Sequence, residues 1–291
     1  MKQTDFLVTP RRRLWPCTLP ALLVAVLLAG CATGTGLSSA ADAESTTSTR
    51  SDAPRNAGND IVTESDEPAV RKRARIRLAL AIGYLEQGQT TIALDEVKQA
   101  LAIDPEFADA YNMRGLVYMR LNDQQLAEES FRRAVALNPR DGSILHNQGW
   151  LMCEQKRYPQ AAEAFAKAMA NPNYGNRSRT LMARGLCEER AGQPAEAERS
   201  LTQSYELDAG NPVTGYNLAR LLYNRGDNER ARFYIRRLNN SELANAESLW
   251  LGMRVERRLE NKEAMLQLAS QLQRRYPQAP ELGAYERGEF K

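Results

Sequence analysis

One small residue returns at a nearly constant interval through most of this chain. It stands at Ala81, Gly115, Gly149, Gly185, Ala219 and Gly252, with separations of 34, 34, 36, 34 and 33. A second series, Ala93, Ala127, Ala161, Ala197, Ala231 and Ala264, keeps the same separations. Two anchors holding one register leave few folds open. The chain is built from copies of one unit, each too small to bury its own apolar face and each closed by its neighbours.

The unit is clearest between Ala108 and Pro139. Two apolar-periodic runs flank a polar turn at Asn122-Asp123-Gln124, and Asn138-Pro139 closes the second. Small residues (Gly115, Ala127, Ala134) fall where two helices must touch, and Tyr111, Tyr118 and Phe131 fill between them. The pattern resembles the tetratricopeptide repeat (TPR), which pairs Leu-Gly and Tyr in its first helix with Ala, Phe and Pro in its second. The first unit offers Leu80, Ala81, Tyr84, Gly88, Ala93, Ala100 and Pro105; the third offers Gly149, Ala161, Phe165 and Ala168. The last three units drift, and their closing prolines are displaced or absent, as at Ala209. The resemblance implies an all-α fold, a superhelical array of about six helix-turn-helix repeats over residues 69–277. The units fall near 74–107, 108–141, 142–177, 178–211, 212–244 and 245–277, with a C-terminal tail at 278–291.

Residues 1–30 have the build of a leader. Lys2 and Arg11-Arg12-Arg13 make a positive start, and Leu19 to Leu28 is apolar but short for a bilayer span. Leu28-Ala29-Gly30-Cys31 looks like a bacterial lipobox, in which the cysteine is lipidated and becomes the new N-terminus. An ordinary signal peptide, or a short anchor, that happens to contain cysteine is the plainer alternative. Ala32, rather than aspartate, follows Cys31, which by that resemblance directs the protein to the periplasmic face of the outer membrane. Two or more acyl chains give stable anchoring. Residues 32–68 are rich in Thr, Ser, Ala, Gly, Asp and Asn and carry few large apolar side chains, the composition of a disordered tether. Its root-mean-square reach is roughly 35 Å.

In the first unit Leu80, Ala81 and Tyr84 are expected in the internal seam. Leu78, Ile82 and Leu85 then share a second face, at i, i+4 and i+7. In TPR arrays that face lines a concave groove, so the stripe is either a docking surface or a local cap over the preceding chain. The same register adds Leu116, Met119, Trp150, Met182, Leu186, Tyr216 and Tyr223 to a partner-binding groove. Methionines and aromatics suit adaptable contacts to a peptide. Several of these positions read equally well as core.

Cys153 and Cys187 lie in the first helices of adjacent units, two residues apart in register. A disulfide and two separate buried thiols are both compatible with that placement. His146 is the only histidine and reads as a hydrogen-bonded wall residue. Catalytic and metal-binding motifs such as HExxH, paired CxxC, GxSxG and the P-loop are absent, so neither an enzyme nor a metal site is expected, and no cofactor beyond lipid on Cys31. A net charge of +3 argues against a nucleic-acid partner. The C-terminal arginines, from Arg225 to Arg275, read as a solvated face, with an anionic-lipid or acidic-partner strip, or peptidoglycan, as alternatives.

Two local stretches narrow the resemblance. Asn147-Gln148-Gly149-Trp150-Leu151-Met152-Cys153 is followed by Lys156-Arg157-Tyr158 and Asn171-Pro172-Asn173-Tyr174; later comes Ser248-Leu249-Trp250-Leu251-Gly252. With the paired cysteines and the lipobox, these resemble the type IV pilus biogenesis lipoproteins of the PilF/PilW kind, the pilotins. The resemblance implies an accessory protein, acting as a monomer, that binds secretin subunits and promotes their localisation and oligomerisation in the outer membrane. The alternative is a TPR scaffold lipoprotein serving cell-wall enzymes, barrel assembly or Tad-type secretion.

Overall fold

A computed structural model describes residues 67–290. The leader, Cys31 and most of the expected tether lie outside the described residues. Among the described residues every regular element is an α-helix. Six antiparallel pairs follow one another: α1 (Ala69–Glu86) with α2 (Thr90–Ile103), α3 (Ala108–Arg120) with α4 (Gln124–Leu137), and α5 (Gly142–Glu154) with α6 (Tyr158–Ala170). Then come α7 (Arg177–Arg190) with α8 (Pro194–Leu207), α9 (Pro212–Arg225) with α10 (Asn228–Asn239), and α11 (Ala246–Arg258) with α12 (Lys262–Arg275). A short α13 (Pro280–Glu286) ends the chain.

Local chemistry sets these boundaries. Asp123, Asp141, Asn211, Asp227, Asn245 and Asn261 each cap a helix by accepting a hydrogen bond from a first-turn backbone N–H. Asn245 and Ser248 complete a reciprocal capping box. The turn inside every pair contains one residue in the left-handed region: Gly88, Asn122, Lys156, Gly192, Gly226 and Glu260.

The recurring small residues are where the paired helices meet. A Cβ built on Gly115 would fall 2.5 Å from Cε1 of Phe131, one on Gly149 2.9 Å from Phe165, and one on Gly185 2.7 Å from Leu201. Each odd-numbered helix from α1 to α9 also brings its backbone close to the next odd-numbered helix, whereas the backbones of the even-numbered helices stay further apart, α8 and α10 meeting through long side chains such as Glu198 and Arg230. The stack is therefore splayed on its even side, and the odd helices form the inner, concave layer. This is the superhelical array expected from the repeat pattern.

The ends of the array differ. The segment 278–291, set apart as a tail on sequence grounds, carries α13, which packs on α11 and α12. Leu282 joins Leu249, Met253, Ala269 and Leu272 in one cluster. Phe290 stacks on Trp250 at 4.9 Å and lies under the Arg257 guanidinium at 4.2 Å. Helix α1 begins at Ala69, five residues before the first unit's expected start, and among the described residues no helix precedes it.

Candidate functional site

The concave layer is more tightly closed than the groove expected from the register. Leu78 is 7 % exposed and packs with Ala74, Ala100, Phe107 and Ala110; Leu85 is 9 % exposed and packs with Ala93 and Val117. These two side chains fill the joint between α1, α2 and α3 and do not form an open stripe. The reason is the close approach of successive odd helices, which places Leu78 and Leu85 against the next repeat and leaves Ile82 at the edge of the joint. Leu80, assigned to the internal seam, is instead 43 % exposed, and Ile82 is partly exposed as expected of a surface residue.

The other groove residues divide in the same way. Met182, Leu186 and Tyr223 are buried within one large cluster, and Tyr216 packs against it half-buried. Leu116 and Met119 are half-buried between the second and third repeats. Trp150 is half-buried beneath the Arg190 guanidinium, 4.8 Å from its ring centroid. Arg254 covers Tyr223 at 4.7 Å. Arg220 donates to Glu189 at 2.6 Å across α9 and α7. The inner layer is thus a set of knitted joints, with Ile82, Leu116, Met119, Trp150 and Tyr216 leaving part of their surface open.

Cys153 on α5 and Cys187 on α7 are joined by a disulfide, with Cα atoms 5.8 Å apart. The bond ties two adjacent first helices and packs with Ala161, Phe165 and Ala183.

Polar groups in the interior are held by their neighbours. His146 Nδ1 lies 2.9 Å from the Thr180 hydroxyl, which is also 2.8 Å from the Tyr174 hydroxyl. Burial, with a smaller contribution from the Arg179 charge, pushes the imidazole down to about 3, so it is neutral at ordinary pH. Glu188 accepts from Arg184 and from the Ser200 hydroxyl, and fully buried Glu256 accepts from Arg236 at 2.6 Å. Among the described residues no group of three or more His, Cys, Asp and Glu side chains is placed to hold a metal ion. The C-terminal arginines are largely absorbed as well: Arg225 and Arg230 bind Glu198, Arg232 binds Glu229, and Arg275 reaches the Ala244 carbonyl. No helix among the described residues is long and apolar enough to cross a membrane.

The open apolar surface lies elsewhere. Eleven large hydrophobic side chains are exposed among the described residues, and five belong to the first repeat: Val70, Ile76, Leu80, Ile82 and Ile92. The register explains the most exposed of them. Ile76, 63 % exposed, corresponds to Ala110, Ile144, Thr180 and Thr214 in the next four units, and all four of those are completely buried. Leu80 corresponds to Leu218 and Leu251 in the fifth and sixth units, both buried. Those positions belong to joints between a repeat and its predecessor. Ile76 and Leu80 occupy the same register on α1, and among the described residues no preceding helix covers them. The sequence carried this signal: the residues aligned with Ile76 are small or apolar in four units, and among the described residues only α1, of the first helices, follows no other repeat.

Comparison with known proteins agrees with the repeat register. Tetratricopeptide-repeat models match residues 78–142 and 146–212, and a further one matches 190–249. The type IV pilus assembly protein PilF of Pseudomonas aeruginosa is 32 % identical over 214 residues, covering 74 % of this chain and 83 % of that protein. The solved structure of P. aeruginosa PilF superposes with a TM-score of 0.66 over 75 % of this chain and 99 % of that one. PilW, described as a widely conserved type IV pilus biogenesis factor, superposes with a TM-score of 0.67 at 28 % identity, over 74 % of this chain and 98 % of that one. In this chain the Ser248–Gly252 segment that marks the resemblance is a packing element: Ser248 caps α11, Leu249 and Leu251 are buried, and Trp250 receives Phe290. With its six helix pairs, its repeat register and its match along nearly all of both structures, the chain belongs to the PilF/PilW family of tetratricopeptide-repeat proteins of type IV pilus biogenesis.

Proposed function

We propose that this protein is a lipid-anchored pilotin. In this reading residues 1–30 are removed, Cys31 is acylated, and residues 32–68 tether the array to the periplasmic face of the outer membrane. The array binds secretin subunits of the type IV pilus machinery and promotes their localisation and oligomerisation. It acts by binding alone: lipid supplies the address, the tether supplies reach, and the array supplies the contact. No cofactor other than the Cys31 lipid takes part.

The observation that carries the reading is the exposed joint face of α1, which no other described helix covers. A repeat array normally closes its terminal units with a polar outer face. Here α13 and Phe290 cover the C-terminal end, while Ile76 and Leu80 stand open at the other. In later repeats the matching joint is filled by the second helix of the preceding unit, as α2 packs on α3. The shape that completes it is therefore an amphipathic helix, a common mode of protein recognition. We assign that helix to the secretin partner.

The test is the double substitution Ile76→Asp, Leu80→Asp. Both side chains face away from the core, so the variant stays helical and reaches the membrane, but secretin oligomers are lost from the outer membrane. Normal oligomers in a folded double variant contradict the assignment. Cys31→Ser separately displaces the protein from the membrane fraction without unfolding the array; unchanged fractionation contradicts the anchor.

A further inference from the structure

A cavity away from the α1 joint lies on the even-helix side between the fourth and fifth repeats. It measures about 220 Å³ and is lined by Tyr205 of α8, Gly215 of α9, Tyr234, Arg237 and Leu238 of α10, and Leu243. It exists because two repeat positions are under-filled. The register that carries Tyr111, Leu145 and Leu181 in earlier units carries Gly215 here, and the closing proline of Pro105 and Pro139 is replaced by Ala209, which also borders the cavity. A Cβ on Gly215 would meet Tyr205 Cε2 at an ordinary 3.8 Å, so the space is real and not an artefact of tight backbone approach.

The walls are apolar and aromatic, with Tyr205 and Tyr234 meeting edge to face at 4.9 Å. The polar lining residues Asn211 and Ser241 are hydrogen-bonded to backbone, and two further polar groups break the apolar pattern. The Tyr205 hydroxyl is buried and has no hydrogen-bond partner, although Tyr205 as a whole is only 9 % exposed. Buried hydroxyls are normally satisfied. Arg237 is the second. Its α10 neighbours Arg230, Arg232 and Arg236 each bind a carboxylate, whereas Arg237 forms no ion pair among the described residues and has its guanidinium 5.8 Å from the Tyr205 ring.

A volume of this size is below the roughly 300–1,000 Å³ of typical small-molecule pockets. It suits one side chain of an extended polypeptide. The unmatched guanidinium beside an apolar wall calls for a carboxylate held close to that side chain. A chain terminus provides this most compactly, because its α-carboxylate is attached to the same Cα as the terminal side chain. We propose that the cavity captures the C-terminus of a polypeptide ending in a large apolar residue: the side chain enters over Gly215 and packs against the Tyr205–Tyr234 pair, and Arg237 binds the terminal carboxylate. The site is separate from the α1 joint and does not depend on the partner assigned there.

The test is a titration of the isotope-labelled full chain, solubilised in detergent, with N-acetyl-phenylalanine as the probe. Saturable shifts are expected at the backbone amides of Gly210, Gly215 and Leu243, in the millimolar range for a fragment this small. The corresponding phenylalanine amide, which lacks the charge, should bind about tenfold more weakly. Arg237→Gln should weaken the acid and leave the amide unchanged. Gly215→Leu, which restores the residue of the third and fourth units, should fold normally and abolish both. Absence of saturable shifts, equal binding of acid and amide, or full binding by folded Gly215→Leu would overturn the site. Equal or tighter binding of N-acetyl-aspartyl-phenylalaninamide would overturn the chain-terminus assignment. Arg237→Gln alters an exposed side chain, so it remains informative if Gly215→Leu fails to fold.

Discussion

Gly115 and Phe131 are locked together: a single methyl group on the glycine would sit 2.5 Å from the phenyl ring, and that ring is completely buried. The relationship shows what the repeat spacing encodes, which is the distance of closest approach of two helices. Gly115→Ala should destabilise the array by about 1–3 kcal/mol, because the ring has no free space to move into. Gly83, also within a helix, has nothing within 4 Å of its absent Cβ, and Gly83→Ala should stabilise by about 0.5–1 kcal/mol through helix propensity alone. Urea unfolding of the two variants would separate them; equal effects would mean that the close approach is not what selects glycine.

The Cys153–Cys187 bond closes a separation of 34 residues. Loop-closure entropy gives such a link about 3–4 kcal/mol. The double Cys→Ser variant should lose about that much stability while keeping its helices, and reductant should have no effect on it. Denatured, unreduced wild type should show no thiol reactivity from either cysteine.

Lys156 takes the left-handed conformation, with φ of 61°, at a turn where the first, fourth and fifth repeats use glycine. An L side chain there costs about 1–2 kcal/mol. Glycine also gains freedom in the unfolded chain, which offsets part of that cost. Lys156→Gly should therefore raise stability by about 0.5–1 kcal/mol in thermal unfolding. A loss would show that the lysine makes a compensating contact.

His146 contributes a pH dependence of known sign. Its ordinary value is 6.5, and burial lowers it to about 3 in the folded protein. Between those values the unfolded chain binds a proton that the folded chain excludes. Stability is therefore full above pH 6.5 and falls with added acid, by up to about 1.4 kcal/mol per pH unit. His146→Asn, which can keep the hydrogen bond to Thr180, should flatten the slope between pH 7 and pH 5. An unchanged slope would assign it to other groups.

Much of this architecture was legible in residue spacing. The small residues, the Tyr and Phe between them and the polar turns locate the six helix pairs, because helix-to-helix contact within a unit is local. Leu78 and Leu80 show where legibility ended. Helical periodicity separates their faces but does not say which face the next repeat will cover, and contact between successive odd helices buries Leu78 while leaving Leu80 open. Helix α13 was not visible as an element because it is short and has no partner in the repeat. The cavity beside Tyr205 was visible only as two departures, Ala209 and Gly215, whose meaning depends on their being neighbours in space. Glu256 was hidden in the same way among arginines, and only the fold shows it fully buried against Arg236.

The most direct measurement is site-specific photo-crosslinking in living cells that assemble type IV pili, with the reactive group placed in turn at positions 76, 80 and 233. Ile76 and Leu80 belong to the exposed joint face of α1, and Phe233 is an exposed hydrophobic residue outside the first repeat. The account predicts secretin adducts from positions 76 and 80 and none from 233. Secretin captured from 233 alone, or no secretin from 76 and 80 in cells that assemble pili normally, would contradict it.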